Sequence, residues 1–198
     1  MSLENEEKKE TSIRFCGLGG MGVILVSVIL GKAAIYDSKN AIQTQSYGAE
    51  QRGTKVRSDV IISDSDVITY PVVDNADILV AFSKDAFDFY YSSTHQDSQI
   101  FINSDLIHTQ KKDKKIIQIP ASNLAKELKN ERITNIIMLG ALISHINLLS
   151  KESIIKSIRD TIPEKYQELN IKAFDIGFSY KNQVWKLVKE KGGSLLIS

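Results

Sequence analysis

The chain has 198 residues, which is long enough for one domain with a substantial core and short for two. Its 25 Lys and Arg side chains balance 24 Asp and Glu side chains, so the formal net charge is +1 and no overall field favours nucleic acid or an anionic membrane. Hydrophobic residues make up 42% of the chain and charged residues 25%, the balance of a folded globular protein. Any anion that the protein binds must therefore be held locally.

Signals for targeting, disulfides and metals are missing from the sequence. No apolar run approaches the roughly 20 residues that span a bilayer, and the N-terminal MSLENEEKKE lacks the apolar segment of a secretion signal. We therefore expect a cytoplasmic protein that contacts neither membrane nor nucleic acid. Cys16 is the only cysteine, so it forms no intramolecular disulfide and cannot hold an iron–sulfur cluster, which normally takes four. The three histidines lack the spacing of a helical zinc site, and we expect no metal site.

The first predicted elements are a strand, a glycine loop and a helix. SIRFC (residues 12–16) has the pattern of a short strand, and apolar residues recur at helical spacing from residue 23 onward in VILVSVILGKAAIYD. Between them, FCGLGGMGV contains the pattern G-x-G-x-x-G. NAIQTQ (residues 40–45) is predicted as a second strand, and the SYGAEQRG that follows, with two glycines and no helical period, is predicted as a loop.

Further along, short strands give way to helices. In KVRSDVIIS (residues 55–63), one face of an extended strand would carry Val56, Ser58, Val60 and Ile62. The turn-forming Asp64-Ser65-Asp66 then leads to VITY (residues 67–70), and we predict a hairpin. ADILVAF, QIFIN and KIIQIP have the pattern of buried strands, and SKDAFDFYY lies among them as a helix. The pattern is then helical to about residue 191, with Pro163 in the first turn of the last helix. The almost entirely apolar NIIMLGALISHINLL indicates a helix buried on more than one side, either a central packing helix or a subunit interface.

Strands that alternate with helices predict an α/β fold. We expect a single three-layer α/β/α domain over residues 12–191, with a mixed, mostly parallel sheet and a helical C-terminal part. Residues 1–11 are predicted to be a solvated tail, and residues 192–198 a loose C-terminal end.

The glycine pattern leaves three interpretations open. Its glycines could serve tight strand–helix packing alone, a phosphate or other polar ligand shared with a partner chain, or an NAD(P) or FAD site. A dinucleotide site also needs an acidic residue about 20 residues on, at the end of the second strand. Here that strand ends in Thr44 and Gln45, and Asp37 falls in the turn before it. The dinucleotide interpretation is therefore disfavoured.

Five blocks in order resemble a known family. GLGGMGVILVSVILGKAA, IQTQSYGAEQRG, ADILVAFS, IPASNLAKELKNERITNIIMLGAL and NIKAFDIGF have the order and approximate spacing of the gamma subunit of the 2-oxoacid:ferredoxin oxidoreductases. The resemblance runs from about residue 12 to residue 178, and its TQSYG segment is more similar to the 2-oxoglutarate branch than to the pyruvate branch.

The resemblance implies a non-catalytic gamma subunit with no catalytic residue of its own. It implies partner chains that carry or use thiamine diphosphate, Mg²⁺, iron–sulfur clusters and coenzyme A, and ferredoxin as an indirect partner. The reaction it implies converts 2-oxoglutarate, coenzyme A and oxidised ferredoxin to succinyl-CoA, CO₂ and reduced ferredoxin. This chain alone is expected to bind no cofactor, and homodimer contacts stay open.

Two glycine-containing loops, expected at the ends of adjacent strands, form the candidate site. Glu50 and Arg52 would project on the same side of an extended loop, where Arg52 could grip a phosphate or carboxylate. Two departures from the family pattern stand at Met21, where the family commonly has Gln, and at Thr54, where it has Gly. The predicted cofactor-contacting or interface residues are Gly17, Gly19, Gly20, Met21, Gly22, Tyr47, Glu50, Arg52 and Gly53.

Other residues are assigned structural roles. KKDKK (residues 111–115) is predicted as a solvated turn before a strand rather than as a docking patch. His145 is predicted to be a core or interface residue, and Cys16 an inert packing residue. Three alternative functions stay open: the same role in a pyruvate or indolepyruvate complex, a stand-alone NAD(P)-binding oxidoreductase, and a dimeric binding module that pairs through the apolar helix at residues 133–149.

Overall fold

The computed structural model describes residues 10–46, 54–64 and 68–190. Most of the predicted N-terminal tail, residues 47–53, residues 65–67 of the predicted hairpin, residue 191 and the predicted C-terminal end therefore lie outside the described residues. The elements, in chain order, are β1 (Glu10–Leu18), α1 (Val23–Tyr36), β2 (Asn40–Ser46), β3 (Lys55–Ser63), β4 (Ala76–Ala81), α2 (Lys84–Tyr90), β5 (Thr94–Asn103), β6 (Lys115–Ile119), α3 (Ala121–Glu127), α4 (Thr134–Ile146), α5 (Lys151–Thr161) and α6 (Glu164–Glu190). The strand β1 thus begins inside the predicted tail, and α6 begins directly after Pro163.

Within the described ranges, six strands form one mixed sheet in the order β2-β3-β1-β4-β5-β6. The pairs β1–β4, β4–β5 and β5–β6 are parallel, and β3 runs antiparallel to both β1 and β2. The predicted α/β fold with a mixed, mostly parallel sheet is therefore confirmed.

The predicted hairpin between residues 55–63 and 67–70 is wrong. Residues 68–70 belong to no strand, and β3 instead pairs with β2, which precedes it, and with β1. The physical reason lies in the burial of β3, whose residues from Ser58 to Ser63 are all buried. A strand with both faces covered takes a central position with a neighbour on each side.

Helices cover both faces of the sheet. Along β1, Ile13 and Phe15 face the larger core, to which α1, α4, α5 and α6 contribute, whereas Cys16 faces a smaller core beneath α2. This alternation follows from the two-residue period of a strand. The three-layer prediction is therefore confirmed.

The predicted apolar helix is α4, and it packs inside the chain. Gly140 and Gly177 let α4 and α6 approach closely, because a Cβ atom on Gly177 would lie 1.9 Å from the Ile137 carbonyl oxygen. A Cβ atom on Gly140 would lie 2.2 Å from the carbonyl oxygen of Phe174. Of the two predicted roles for this helix, central packing is the one observed, so the dimeric binding module loses its main support.

A buried ion pair joins the sheet to segments on the α2 side. Arg14 is fully buried, and its Nε and Nη2 atoms each donate at 2.8 Å to one carboxylate oxygen of Asp59. Its Nη1 donates to Ser93 Oγ at 2.7 Å, and Nη2 also donates to the Val73 carbonyl. The Arg14 side chain therefore connects β1 to β3, to the segment before β4 that contains Val73, and to the segment after α2 that contains Ser93.

None of the helices in the described part of the chain is both long and apolar enough to cross a membrane.

Candidate functional site

The glycine loop forms a compact turn between β1 and α1. Gly20 has a φ of 95° and Gly22 a φ of 73°, left-handed conformations that a residue with a Cβ atom adopts only with strain. Gly22 is the residue that caps the N-terminus of α1. At these two positions, the backbone itself requires glycine.

Two contacts hold this turn from either side. Asn135, near the start of α4, donates from Nδ2 to the Gly22 carbonyl oxygen at 3.3 Å, and a Cβ atom on Gly22 would lie only 2.2 Å from that nitrogen. On the β3 side, the Gly19 amide donates to the Thr54 carbonyl at 3.0 Å. That contact uses only the backbone, so it does not depend on the side chain of Thr54.

Met21 occupies the position at which the family resemblance implies glutamine. Its thioether sulfur accepts the Leu18 amide at 3.4 Å, and the residue lines a cavity. A thioether is a weak acceptor and no donor. Met21 therefore supplies apolar surface to the cavity rather than the polar contact that glutamine would make.

This cavity lies at the edge of the sheet where β1, β4 and β5 end, and its volume is about 350 Å³. Ligands of open α/β sheets bind outside the carboxyl ends of the strands, which is where this cavity lies. The residues that line it are Gly20, Met21, Phe82, Asn103, Leu106, Ser122, Lys126, Glu131, Arg132, Thr134 and Asn135.

One wall of the cavity is built by the end of β5 and the start of α3. Asn103 is fully buried, and its Nδ2 donates to Ser122 Oγ at 2.8 Å. Lys126 lies four residues after Ser122 on the same helix, so the two share one face. The wall therefore combines a hydroxyl with an exposed cation.

Another part of the lining is the 3-10 turn Glu131–Ile133, which leads into α4. The Asn130 side chain accepts the Arg132 amide at 3.0 Å, and Thr134 Oγ1 donates to the Glu131 carbonyl at 2.7 Å. These local bonds present Arg132 and Glu131 at the cavity. Together with Lys126 they give the lining a net positive charge, which suits an anionic group.

The structure brings together part of the predicted site. Gly20 and Met21 line the cavity, Gly19 and Gly22 belong to the same turn, and Gly17 lies near the end of β1, paired with Val56 of β3. The other four predicted residues lie outside the described residues; they are Tyr47, Glu50, Arg52 and Gly53.

The ends of the second predicted loop, which joins β2 to β3, lie near the glycine turn. Leu18 is opposite Lys55, and Ser46 is opposite Arg57, so both loops meet the same edge of the sheet. The two loops do not follow adjacent strands as expected, because β3 lies between β1 and β2.

Asp37, the acid nearest to a dinucleotide position, has a structural role. It accepts the Ser150 amide at 2.6 Å and the Ser150 hydroxyl at 2.7 Å, and the Ser153 hydroxyl also donates to it. Burial alone would raise the pKa of Asp37, but these hydrogen bonds outweigh it and lower the pKa. The carboxylate thus ties the α1–β2 turn to α5.

The surroundings of the residues assigned structural roles fit those roles. Burial is the main effect on Cys16 and raises the pKa of its thiol far above the usual range. His145 Nδ1 lies 2.7 Å from the Ala141 carbonyl, and its ring meets Phe101 edge-on. Residues 111–113 are exposed before β6.

Sequence reasoning missed the lining residues that lie far from the glycines. They come from the ends of β4 and β5 and from the segments that start α3 and α4. Two of these residues have a signal in the sequence: Asn103 is the polar residue that ends the apolar strand QIFIN, and Asn135 stands near the start of an almost entirely apolar helix.

An open α/β sheet with a glycine turn and a polar cavity at the ends of its parallel strands is typical of domains of the α/β class, whose ligand sites lie at this position. Sequence comparison identifies its family: residues 12–180 match the Pyruvate ferredoxin/flavodoxin oxidoreductase family, and the chain belongs to it.

Proteins similar to this chain are named as subunits of oxoacid oxidoreductases. The 2-oxoglutarate synthase subunit KorC of Methanocaldococcus jannaschii is 41% identical over 182 residues, which cover 89% of this chain and 97% of that protein. The solved keto/oxoacid ferredoxin oxidoreductase gamma subunit of Geobacter sulfurreducens is 37% identical with a TM-score of 0.76, and the match covers 85% of this chain and 96% of that one.

A larger solved chain contains a similar fold. It belongs to the 2-oxoglutarate:ferredoxin oxidoreductase of Magnetococcus marinus, with 2-oxoglutarate, coenzyme A and succinyl-CoA bound. The TM-score is 0.79 at 25% identity, and the match covers 87% of this chain but 31% of that one. The chain described here is thus a gamma subunit of a 2-oxoacid:ferredoxin oxidoreductase, as the resemblance implied.

Proposed function

We propose that this gamma subunit completes an enzyme that converts 2-oxoglutarate, coenzyme A and oxidised ferredoxin to succinyl-CoA, CO₂ and reduced ferredoxin. In this proposal its cavity forms part of the wall where coenzyme A meets the thiamine-bearing subunits. The observation that carries it is the cavity between the glycine turn and the cations Lys126 and Arg132. The names of the KorC relative and of the Magnetococcus enzyme support 2-oxoglutarate and coenzyme A as substrates.

The size of the cavity supports a shared site. Its volume of about 350 Å³ is near the lower end of the range of pockets that enclose a whole small ligand. Only one part of coenzyme A would lie here, and partner subunits would enclose the rest. The predicted contacts of Tyr47, Glu50, Arg52 and Gly53 belong to the same proposal, because their loop starts and ends at this edge of the sheet.

The redox and decarboxylation chemistry is assigned to partner chains. Iron–sulfur clusters need several thiolate ligands, and the one cysteine here is buried with a raised pKa, so this chain does not fit a cluster.

We also propose that residues 12–191 form one domain. Limited proteolysis of the purified chain would test this proposal, because a single domain should leave that fragment intact.

Reconstitution tests the proposed function. The catalytic subunits would be assayed with and without this chain for coenzyme A-dependent reduction of ferredoxin by 2-oxoglutarate, pyruvate and indolepyruvate. We expect the chain to copurify with them and to raise the rate with 2-oxoglutarate most. Equal rates without it would refute the proposal, and preference for another acid would correct the substrate.

Variants of the cavity cations test the coenzyme A contact. Lys126→Gln and Arg132→Gln should each raise the apparent KM for coenzyme A by about 3- to 10-fold, the effect of losing an exposed charge contact of about 1 kcal/mol. Lys129→Gln is the matched control, because Lys129 is an exposed lysine on the same segment that does not line the cavity. An equal effect of all three changes would contradict a specific contact.

A further inference from the structure

The orientation of the Asn103 amide can be assigned from its neighbours. Its side-chain oxygen lies 3.4 Å from the backbone nitrogens of Asp105 and Ser122. Both of those groups can only donate, so the atom that faces them must be the amide oxygen. The other terminal atom of the amide is therefore the nitrogen, which faces Ser122 Oγ at 2.8 Å.

This orientation determines the direction of the next hydrogen bond. The Asn103 nitrogen only donates, so Ser122 Oγ is the acceptor in this pair. A hydroxyl has one hydrogen of its own, and that of Ser122 must point to another acceptor. Among the described residues, none makes a further hydrogen bond with this hydroxyl, and Ser122 lines the cavity.

We infer that Asn103 is a positioning residue that holds the Ser122 hydroxyl as a donor to an oxygen atom of a ligand in the cavity. The lining also holds the cations Lys126 and Arg132 against the single acid Glu131, and this net positive charge indicates that the oxygen is anionic, in a phosphate or a carboxylate. The inference rests on the proposed function, in which coenzyme A supplies a phosphate, and 2-oxoglutarate is the alternative source of an anionic oxygen.

Ser122 variants in the assembled complex test the donor and separate the two sources. Ser122→Ala should raise the apparent KM for coenzyme A by about 5- to 15-fold with kcat changed less than about 2-fold, as expected for loss of one hydrogen bond. Ser122→Thr retains a hydroxyl and should stay within about 2-fold of the wild type. Ser104→Ala is the control, because Ser104 is next to Asn103 but does not line the cavity.

Asn103→Asp tests the positioning step. A carboxylate cannot donate to Ser122, so in this variant the Ser122 hydroxyl turns towards the new carboxylate and the cavity loses its donor. The KM for coenzyme A should rise about as much as in Ser122→Ala. Combining Asn103→Asp with Ser122→Ala should raise the KM little further, because each single change already removes the same hydrogen bond to the ligand. Circular dichroism and copurification would confirm that each variant is folded and assembled.

The outcomes distinguish this inference from the proposed function. If Ser122→Ala leaves the KM for both coenzyme A and 2-oxoglutarate unchanged, or if the two single changes are additive, the inference is overturned. If only the KM for 2-oxoglutarate rises, the donor role stands and the coenzyme A assignment fails. If the catalytic subunits work equally well without this chain, the proposed function itself fails.

Discussion

The contact between Gly22 and Asn135 makes a quantitative prediction about the glycine turn. Gly22→Ala introduces two costs: a left-handed backbone that costs about 1 kcal/mol for alanine, and a Cβ atom 2.2 Å from Asn135 Nδ2. The Asn135 side chain must move and lose its bond to the Gly22 carbonyl, which adds about 1 kcal/mol or more. We expect the free energy of unfolding to fall by about 2–3 kcal/mol in total.

Two other glycines are matched controls. Gly20 also has a positive φ, but a Cβ atom there would meet nothing within 4 Å, so Gly20→Ala should lose only the backbone cost of about 1 kcal/mol. Gly31 lies within α1 with equally open space around it, so Gly31→Ala should stabilise the protein by about 0.5–1 kcal/mol. The difference between the Gly22 and Gly20 variants measures the contact with Asn135.

Urea unfolding of the full chain, followed by circular dichroism, gives these free energies from midpoints and slopes. Adding Asn135→Ala should reduce the cost of Gly22→Ala to about that of Gly20→Ala, about 1 kcal/mol, because the obstructing side chain is gone. Equal losses in Gly22→Ala and Gly20→Ala, or no coupling to Asn135, would refute the reasoning.

Three further predictions concern packing and titration. Gly177→Ala places a Cβ atom 1.9 Å from the Ile137 carbonyl of α4, and urea unfolding should show a loss of about 2–3 kcal/mol; stability like that of Gly31→Ala would contradict close helix packing. The pKa of Asp37 is lowered in the folded state, so its stabilisation is present at neutral pH and is lost below about pH 4. Melting temperatures of the wild type and Asp37→Asn should therefore converge as the pH falls, and a constant difference would argue against this linkage. Burial raises the pKa of Cys16, so an aromatic disulfide reagent should label it in urea but not in the native chain; rapid native labelling would show an accessible thiolate.

Most elements of the fold were predictable, but the place of β3 in the sheet was not. The alternation of residues 55–63 indicates a strand with two different faces, yet periodicity does not name a strand's partners. The Asp-Ser-Asp segment that follows favoured a hairpin with the next residues. The observed partners are determined by burial on both faces, a property of the assembled sheet.

The candidate site was predictable only where its signal is local. Gly20 and Met21 were found from one short pattern, whereas Asn103, Ser122 and Asn135 come from three other segments of the chain. A single polar residue at the end of a strand or the start of a helix has many uses, and only the folded structure shows that these three meet at one cavity.

The buried guanidinium of Arg14 has a consequence for the order of folding. Its partners Asp59, Val73 and Ser93 are separated from it by 45, 59 and 79 positions along the chain. A charge enters a protein interior favourably only when its partners are in place, so this side chain can become buried only after all three segments have assembled. Because contacts of large sequence separation form slowly, we expect burial of Arg14 to mark a late step, after the local turn of β1 and α1 has formed.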